Sequence, residues 1–164
     1  MIRPYQPSDL TACRALWVEL TERHRQIYRN PDIGGADLGS HFDQYLTRPD
    51  LVDLWVAEEE GQVIGLVGLL QEGEEMEIEP VIVQAAYRSR GIGSALVAQA
   101  IMAARQHGCH YLNVRPVMRN VEAIQFFYTA GFEILGRVEL FQDFQPEGHQ
   151  WQEGIPIHGH LFKY

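Results

Sequence analysis

A short apolar run, Val81-Ile82-Val83, is followed by Arg88-Ser89-Arg90-Gly91-Ile92-Gly93 and then by an alanine-rich stretch from Ile92 to Gln106. A strand that gives way to a helix through two closely spaced glycines leaves few arrangements open. Glycine tolerates positive φ, so the backbone turns tightly there and passes close to a bulky group. The first-turn N–H groups of the helix have no intrahelical acceptor, and the aligned peptide dipoles favour negative charge at that end. The junction therefore suits a phosphate or diphosphate, with Arg88 and Arg90 as further donors. For the hexapeptide taken alone, an ordinary tight turn carrying two solvated arginines is the competing reading.

A second block, Asn120-Val-Glu-Ala123-Ile-Gln-Phe-Phe127-Tyr-Thr-Ala-Gly131-Phe132, lies about thirty residues on. It reads as a short helix opened by a good N-cap residue and closed by a glycine suited to the left-handed position after the helix. In this order and at this distance the two blocks resemble the GNAT superfamily of acyl-CoA-dependent N-acetyltransferases. That family carries Gln/Arg-x-x-Gly-x-Gly/Ala after its fourth strand and Asn-x-x-Ala followed by Gly-Phe on a later helix. The resemblance is specific over about residues 76 to 135.

The resemblance implies that backbone N–H groups of Arg88, Ser89, Arg90, Gly91, Ile92, Gly93 and Ser94 hold the diphosphate of acetyl-CoA, the co-substrate. Backbone atoms near Val81 and Val83 would pair with the pantetheine arm as an added strand, at an edge the family creates by splaying its fourth and fifth strands. The N–H at about Val83 would polarise the thioester carbonyl. Asn120 would contact the pantetheine, although helix capping accounts for it equally well. No metal is implied.

A chain of 164 residues is most simply one domain, here 1–164, long enough to bury its own core. Hydrophobic content of 46% without an apolar run near eighteen residues argues against a membrane span. The N-terminal Met-Ile-Arg-Pro-Tyr-Gln-Pro-Ser-Asp lacks a signal-peptide pattern, which places the expected location in the cytoplasm. A net charge of -9 disfavours nucleic acid and fits a cationic acceptor better. Cys13 and Cys109 have no metal-ligand spacing and read as small core residues. His24, His41, His107, His110, His149, His158 and His160 form no metal pattern either.

Along the chain, Ser8 is an expected N-cap for a helix to about Tyr28, with Leu10, Cys13, Leu16, Trp17 and Leu20 forming an apolar stripe. A shorter helix is expected near Leu38 to Leu46, ending before Pro49. Leu54–Ala57, Val63–Leu70 and Met76–Val83 read as three strands of an antiparallel meander, with turns at Gly61-Gln62 and Glu72-Gly73. Helix Ile92–Gln106, strand Tyr111–Val114, helix Asn120–Ala130 and strands near Phe132–Phe141 and Ile155–Phe162 follow. The expected fold class is α+β, a single GNAT-like domain. Its sheet would be mixed and mostly antiparallel, about six or seven strands flanked by about four helices.

For the base that deprotonates the amine, Glu77 and Glu79 alternate with Met76 and Ile78, so both carboxylates are expected on one sheet face. Glu77 stands eleven residues before Arg88, where the histone-type branch of the resembled family has a catalytic glutamate. Glu77 is the chosen base, with Glu79 as the alternative and an exposed sheet face as the bland reading of both. The family commonly has a tyrosine four residues after the motif alanine to protonate the leaving thiolate, and here that position is Phe127. At about 100° per residue, Phe127 lies within roughly 20° of Asn120, and Tyr128 is rotated by about 80° from it. Phe127 is thus expected to face the coenzyme. Either the helix bends to bring Tyr128 in, or water or another group protonates the thiolate. Trp17, Tyr28 and Trp151 are candidates for an acceptor pocket, against a core role.

The expected activity is acetyl transfer to a primary amine of a small molecule or peptide, without nucleic-acid or membrane partners; dimers being common in the resembled family, a homodimer is admitted. A non-catalytic acetyl-CoA-binding module, supported by Phe127, is the alternative from another class. A transferase using a longer acyl-CoA or an oxygen acceptor is the third reading.

Overall fold

The computed structural model describes residues 1–144, 147, 150–152 and 154–164. Two compact units divide it, residues 1–115 and 116–164.

In the first unit a short strand β1 (Ile2–Pro4) leads through a single 3-10 turn (Pro7–Asp9) into helix α1 (Leu10–Tyr28). Asp9, rather than Ser8, organises this entry: its Oδ2 accepts the Gln6 N–H at 2.8 Å, and Arg3 donates to both its oxygens. The Arg3 guanidinium holds the Asp9 carboxyl below the usual carboxylate range. Helix α1 ends on Arg29 in the left-handed conformation, φ 51°. Helix α2 (Ser40–Leu46) then precedes a meander of β2 (Leu51–Glu59), β3 (Gln62–Glu72) and β4 (Glu75–Val83). Helix α3 (Ile92–Gln106) has the expected bounds, and β5 (Leu112–Asn113) closes the unit.

The sheet order is β1-β2-β3-β4-β5, antiparallel except for the parallel β4–β5 pair. One face packs against α1 and α2 through Cys13, Leu16, Phe42, Tyr45, Val56, Leu66, Leu70 and Ile82. Burial pushes the Cys13 thiol up to about 12, the behaviour of a packing residue. On α3, Leu96, Val97, Ala100, Ala103 and Ala104 are buried, and the helix lies against β3 and β4. Trp17 joins this core, its ring 5.1 Å from Tyr45 and 5.7 Å from Phe42.

The second unit has helix α4 (Val121–Thr129) and a hairpin of β6 (Ile155–Ile157) and β7 (His160–Phe162). Two expectations need correction here. The stretch Phe132–Phe141 carries no strand: its apolar residues include Ile134 at 92% and Leu135 at 77% exposure, and a strand needs a paired neighbour that apolar content alone cannot supply. The expected strand Ile155–Phe162 is two strands, because His158 and Gly159 take positive φ, 48° and 81°, and reverse the chain. His149 lies outside the described residues. Among those described, no helix is long and apolar enough to cross a membrane and no metal-binding cluster occurs.

Candidate active site

Strand β4 is not regular. Its pairing with β3 runs Gly65↔Val83, Leu66↔Ile82, Val67↔Val81 and then Leu69↔Ile78, so β4 uses three residues where β3 uses two. The extra residue is a β-bulge at Glu79-Pro80, and proline, lacking an N–H, is tolerated in a strand at such a place. The bulge changes which backbone groups face which neighbour. Met76 N–H faces β5, donating to Tyr111 O at 2.9 Å, whereas Gln84 N–H faces β3, donating to Ile64 O at 2.8 Å. Alternate residues of a strand point the same way, so Ile82 faces β3 with Gln84. Val81 and Val83 therefore turn their backbone groups toward the β5 side. Strand β5 pairs only with Met76 and Glu77, which leaves β4 from Ile78 onward without a β5 partner. The Val83 carbonyl is covered by the chain's own Arg88, whose Nε donates to it at 3.0 Å.

Five residues beyond Val83 the glycine junction begins, open to solvent. Gly91 takes φ 80° as the N-cap of α3, and no atom lies within 4 Å of where its Cβ would be. Ser89 is also left-handed, φ 61°. No side chain caps α3, and the helix's first intrahelical bond is Ala95 N–H to Gly91 O at 3.0 Å. The amides of Ile92, Gly93 and Ser94 thus have no acceptor within the helix. The two arginines are directed elsewhere. Arg88 Nη2 meets Glu19 Oε1 at 3.1 Å, and Arg90 lies 4.9 Å over the Tyr87 ring and 3.9 Å from Glu59. The donors this junction leaves open are thus backbone amides, and the two guanidinium groups face protein partners.

Glu77 is 6% exposed, buried along with Met76 and Ile78 rather than set on an open face. Arg115 Nη1 donates to its Oε2 at 2.6 Å, while Arg115 Nη2 is paired with Glu72. Burial raises the Glu77 carboxyl above its ordinary value, with Arg115 opposing that rise and Glu79 adding to it. Glu79 is far more exposed and lies 3.6 Å from Arg48. Arg115 had no signal in the sequence, because its contact with Glu77 spans thirty-eight residues. A crevice of about 390 Å³ between α1 and the β2–β3 turn, lined by Arg3, Ser8, Asp9, Glu19, Gln62 and Gln84, includes none of these groups.

Within the second unit, Asn120 Oδ1 accepts the Ala123 N–H at 3.2 Å, an N-cap bond. Helix α4 ends with Phe132 N–H to Phe127 O at 3.1 Å and Gly131 N–H to Tyr128 O at 3.0 Å, and Gly131 takes φ 97°. This is a Schellman ending, and the apolar contact that accompanies it is Phe127 on Phe132, centroids 5.8 Å apart and edge to face. Phe127 therefore has a packing role of its own. Tyr128 is 56% exposed. Trp151 donates to Asp143 and lies under Arg119.

Residues 13–132 match the model of the acetyltransferase (GNAT) family, and the chain belongs to that family. It is similar to an uncharacterized N-acetyltransferase of Methanocaldococcus jannaschii, 30% identical over 99 residues that cover 56% of this chain and 44% of the relative. The chain spans somewhat under half the length of the curated relatives it matches. Among solved structures it resembles a ribosomal-protein-alanine N-acetyltransferase from Brucella melitensis, with 28% identity, TM-score 0.66 and coverage of 83% of this chain and 86% of that one. An aminoglycoside N-acetyltransferase solved in complex with CoA shares the fold, with TM-score 0.64 at 18% identity over 87% of this chain and 98% of that one.

Proposed function

We propose that this chain transfers an acetyl group from acetyl-CoA to a primary amine of a small molecule or peptide, by direct attack in a ternary complex. The observation that carries the proposal is the pairing, within one unit, of an outward-turned β4 edge at Val81 and Val83 with an uncapped helix start at Gly91. An extended arm lying along that edge would lead its diphosphate toward the amides that follow Arg88. Acetyl-CoA supplies the thioester: the amine nitrogen attacks its carbonyl carbon, a C–N bond forms, and the C–S pair leaves as thiolate.

The chain's residues would then act as follows. Amides from Ser89 to Ser94 bind the diphosphate, which favours the helix N-terminus on electrostatic grounds, whereas the Arg88 N–H, expected among them, already donates to Ala85 O at 3.3 Å. Val81 and Val83 hold the arm, and the Val83 N–H donates to the carbonyl oxygen as charge develops on it. Glu77 takes the ammonium proton, directly or through one water; its raised pKa moves a carboxylate toward the range in which it serves as a base near neutral pH. Glu79 is the alternative base. The thiolate receives its proton from Tyr128, from water or from another group. Coenzyme contacts at Asn120 and Phe127 are what the family resemblance implies. The family match across 13–132 supports treating 1–164 as one functional domain, and we place it in the cytoplasm with an amine acceptor, as monomer or homodimer, without nucleic-acid or membrane partners.

Release of free CoA on a panel of small amines and N-terminal peptides tests this reading, with turnover on at least one amine expected. The second reading, a non-catalytic acetyl-CoA-binding module, is favoured by the phenyl ring at Phe127. Tight coenzyme binding without turnover on any amine would select it. Product mass spectrometry with competing donors separates acetyl-CoA from a longer acyl-CoA.

A further inference from the structure

Tyr45, on the last turn of α2, is 4% exposed, and its ring is held between Trp17, centroids 5.1 Å apart, and Phe42, 6.2 Å apart. From this fixed position its hydroxyl crosses to β4 and donates to the carbonyl of Glu79 at 2.5 Å. That carbonyl belongs to the bulge, where Glu79 and Pro80 have no partner in the β3 register. A buried carbonyl without a donor is costly, and here the donor comes from a helix thirty-four residues away.

The neighbouring strand makes room for this reach. A Cβ on Gly68 of β3 would overlap Tyr45 Oη and crowd the Glu79 carbonyl oxygen. Glycine inside a run of buried Leu66, Val67, Leu69 and Leu70 weakens a strand unless another group must come close, and the hydroxyl is that group. Side chain and missing side chain thus describe the same event from two strands. The bulge they enclose is what turns Val81 and Val83 toward the open side.

We propose that Tyr45, admitted by Gly68, is a positioning residue for the coenzyme-binding edge: its hydroxyl fixes the β4 bulge, so that the order of α2 and the grip on the coenzyme are coupled. The inference rests on the proposed binding of the pantetheine arm along Val81 and Val83.

Titration calorimetry with CoA as the probe tests it on the full chain, comparing wild type, Tyr45→Phe and a core control, Phe42→Leu, with thermal unfolding measured on each. Tyr45→Phe is expected to weaken CoA about fivefold, the scale of one hydrogen bond. Phe42→Leu, which loosens the same aromatic cluster without touching the bulge, is expected to lower Tm and leave the CoA affinity at the wild-type value. Equal affinity in Tyr45→Phe and wild type overturns the proposal, as does an equal loss in Phe42→Leu. A wild type that fails to bind CoA removes the functional reading itself, a different result from either. Should Tyr45→Phe not fold, hydrogen exchange on the wild type decides. CoA is expected to slow exchange in Ser40–Leu46 as well as in Glu75–Val83, and protection confined to β4 overturns the coupling.

Discussion

Replacing Gly91 by alanine separates two things that a glycine-rich loop does at once. Gly91 has φ 80° and Gly108, just past the other end of the same helix, has φ 73°; neither has any atom within 4 Å of the place a Cβ would take. An L-residue in the left-handed region costs roughly 1–2 kcal/mol, so both substitutions are expected to lower the unfolding free energy by about 1 kcal/mol, read from urea denaturation. Only Gly91 lies beside the free amides of α3. A methyl there, or a shift of the turn to relieve its strain, removes one hydrogen bond to a charged group, worth about 1.5–3 kcal/mol. The dissociation constant for CoA is then expected to rise about 10- to 100-fold in Gly91→Ala and to stay within about twofold in Gly108→Ala. Calorimetry on both variants measures this. Equal changes in the two, or none in either, would refute the assignment of the diphosphate to this turn.

Glu77→Gln is expected to lower kcat about 10²-fold and to erase the acid limb of kcat/KM. Because burial raises the Glu77 carboxyl, that limb is expected above the usual carboxylate range, with wild-type activity climbing as pH rises through it; a variant with an unaltered profile would pass the role to Glu79. Phe127→Tyr, which keeps the ring on Phe132 and adds the missing hydroxyl, is expected to raise kcat by up to about tenfold, while Tyr128→Phe lowers it about 10²-fold only if Tyr128 is the proton donor; rates on a single amine compare the two directly. Asp9→Asn is expected to cost about 1–2 kcal/mol at neutral pH by removing one of the two carboxylates that Arg3 pairs with, Glu58 remaining at 2.7 Å. Arg3 depresses the folded-state pKa of Asp9, so its stabilisation is present above the unfolded value of about 3.9 and is lost as pH falls through the folded one. Denaturation curves of the two proteins should therefore converge in acid, and a pH-independent gap would contradict the pairing.

The elements marked by local chemistry were legible in the chain. Gly91 and Gly108 bracket α3, and Asn120 and Gly131 bracket α4, because caps are settled within a few residues. The β2–β4 meander announced itself through turn residues and apolar runs. Strand β1, three residues ending in proline, carries too little pattern, and it exists because β2 pairs with it. Phe132–Phe141 errs in the other direction, since strand pattern without a partner leaves no ladder. Within the site, the alternation that put Glu77 and Glu79 on one sheet face says nothing of burial: Glu77 is enclosed, and its partner Arg115 lies thirty-eight residues away in sequence. Two residues did signal the bulge, Pro80 inside a strand and Gly68 inside an apolar one, and their common cause is visible only once Tyr45 is placed between them.

The guanidinium of Arg88 across the Val83 carbonyl has a bearing on solubility. A strand with unanswered backbone groups is a template for other extended chains, and proteins commonly blunt such borders with a charged side chain. Arg88, itself paired with Glu19, covers one acceptor of that border with its own side chain, an arrangement that would hinder foreign strands from zipping onto it. The arginine that opens the glycine turn would thereby serve as a guard against self-association.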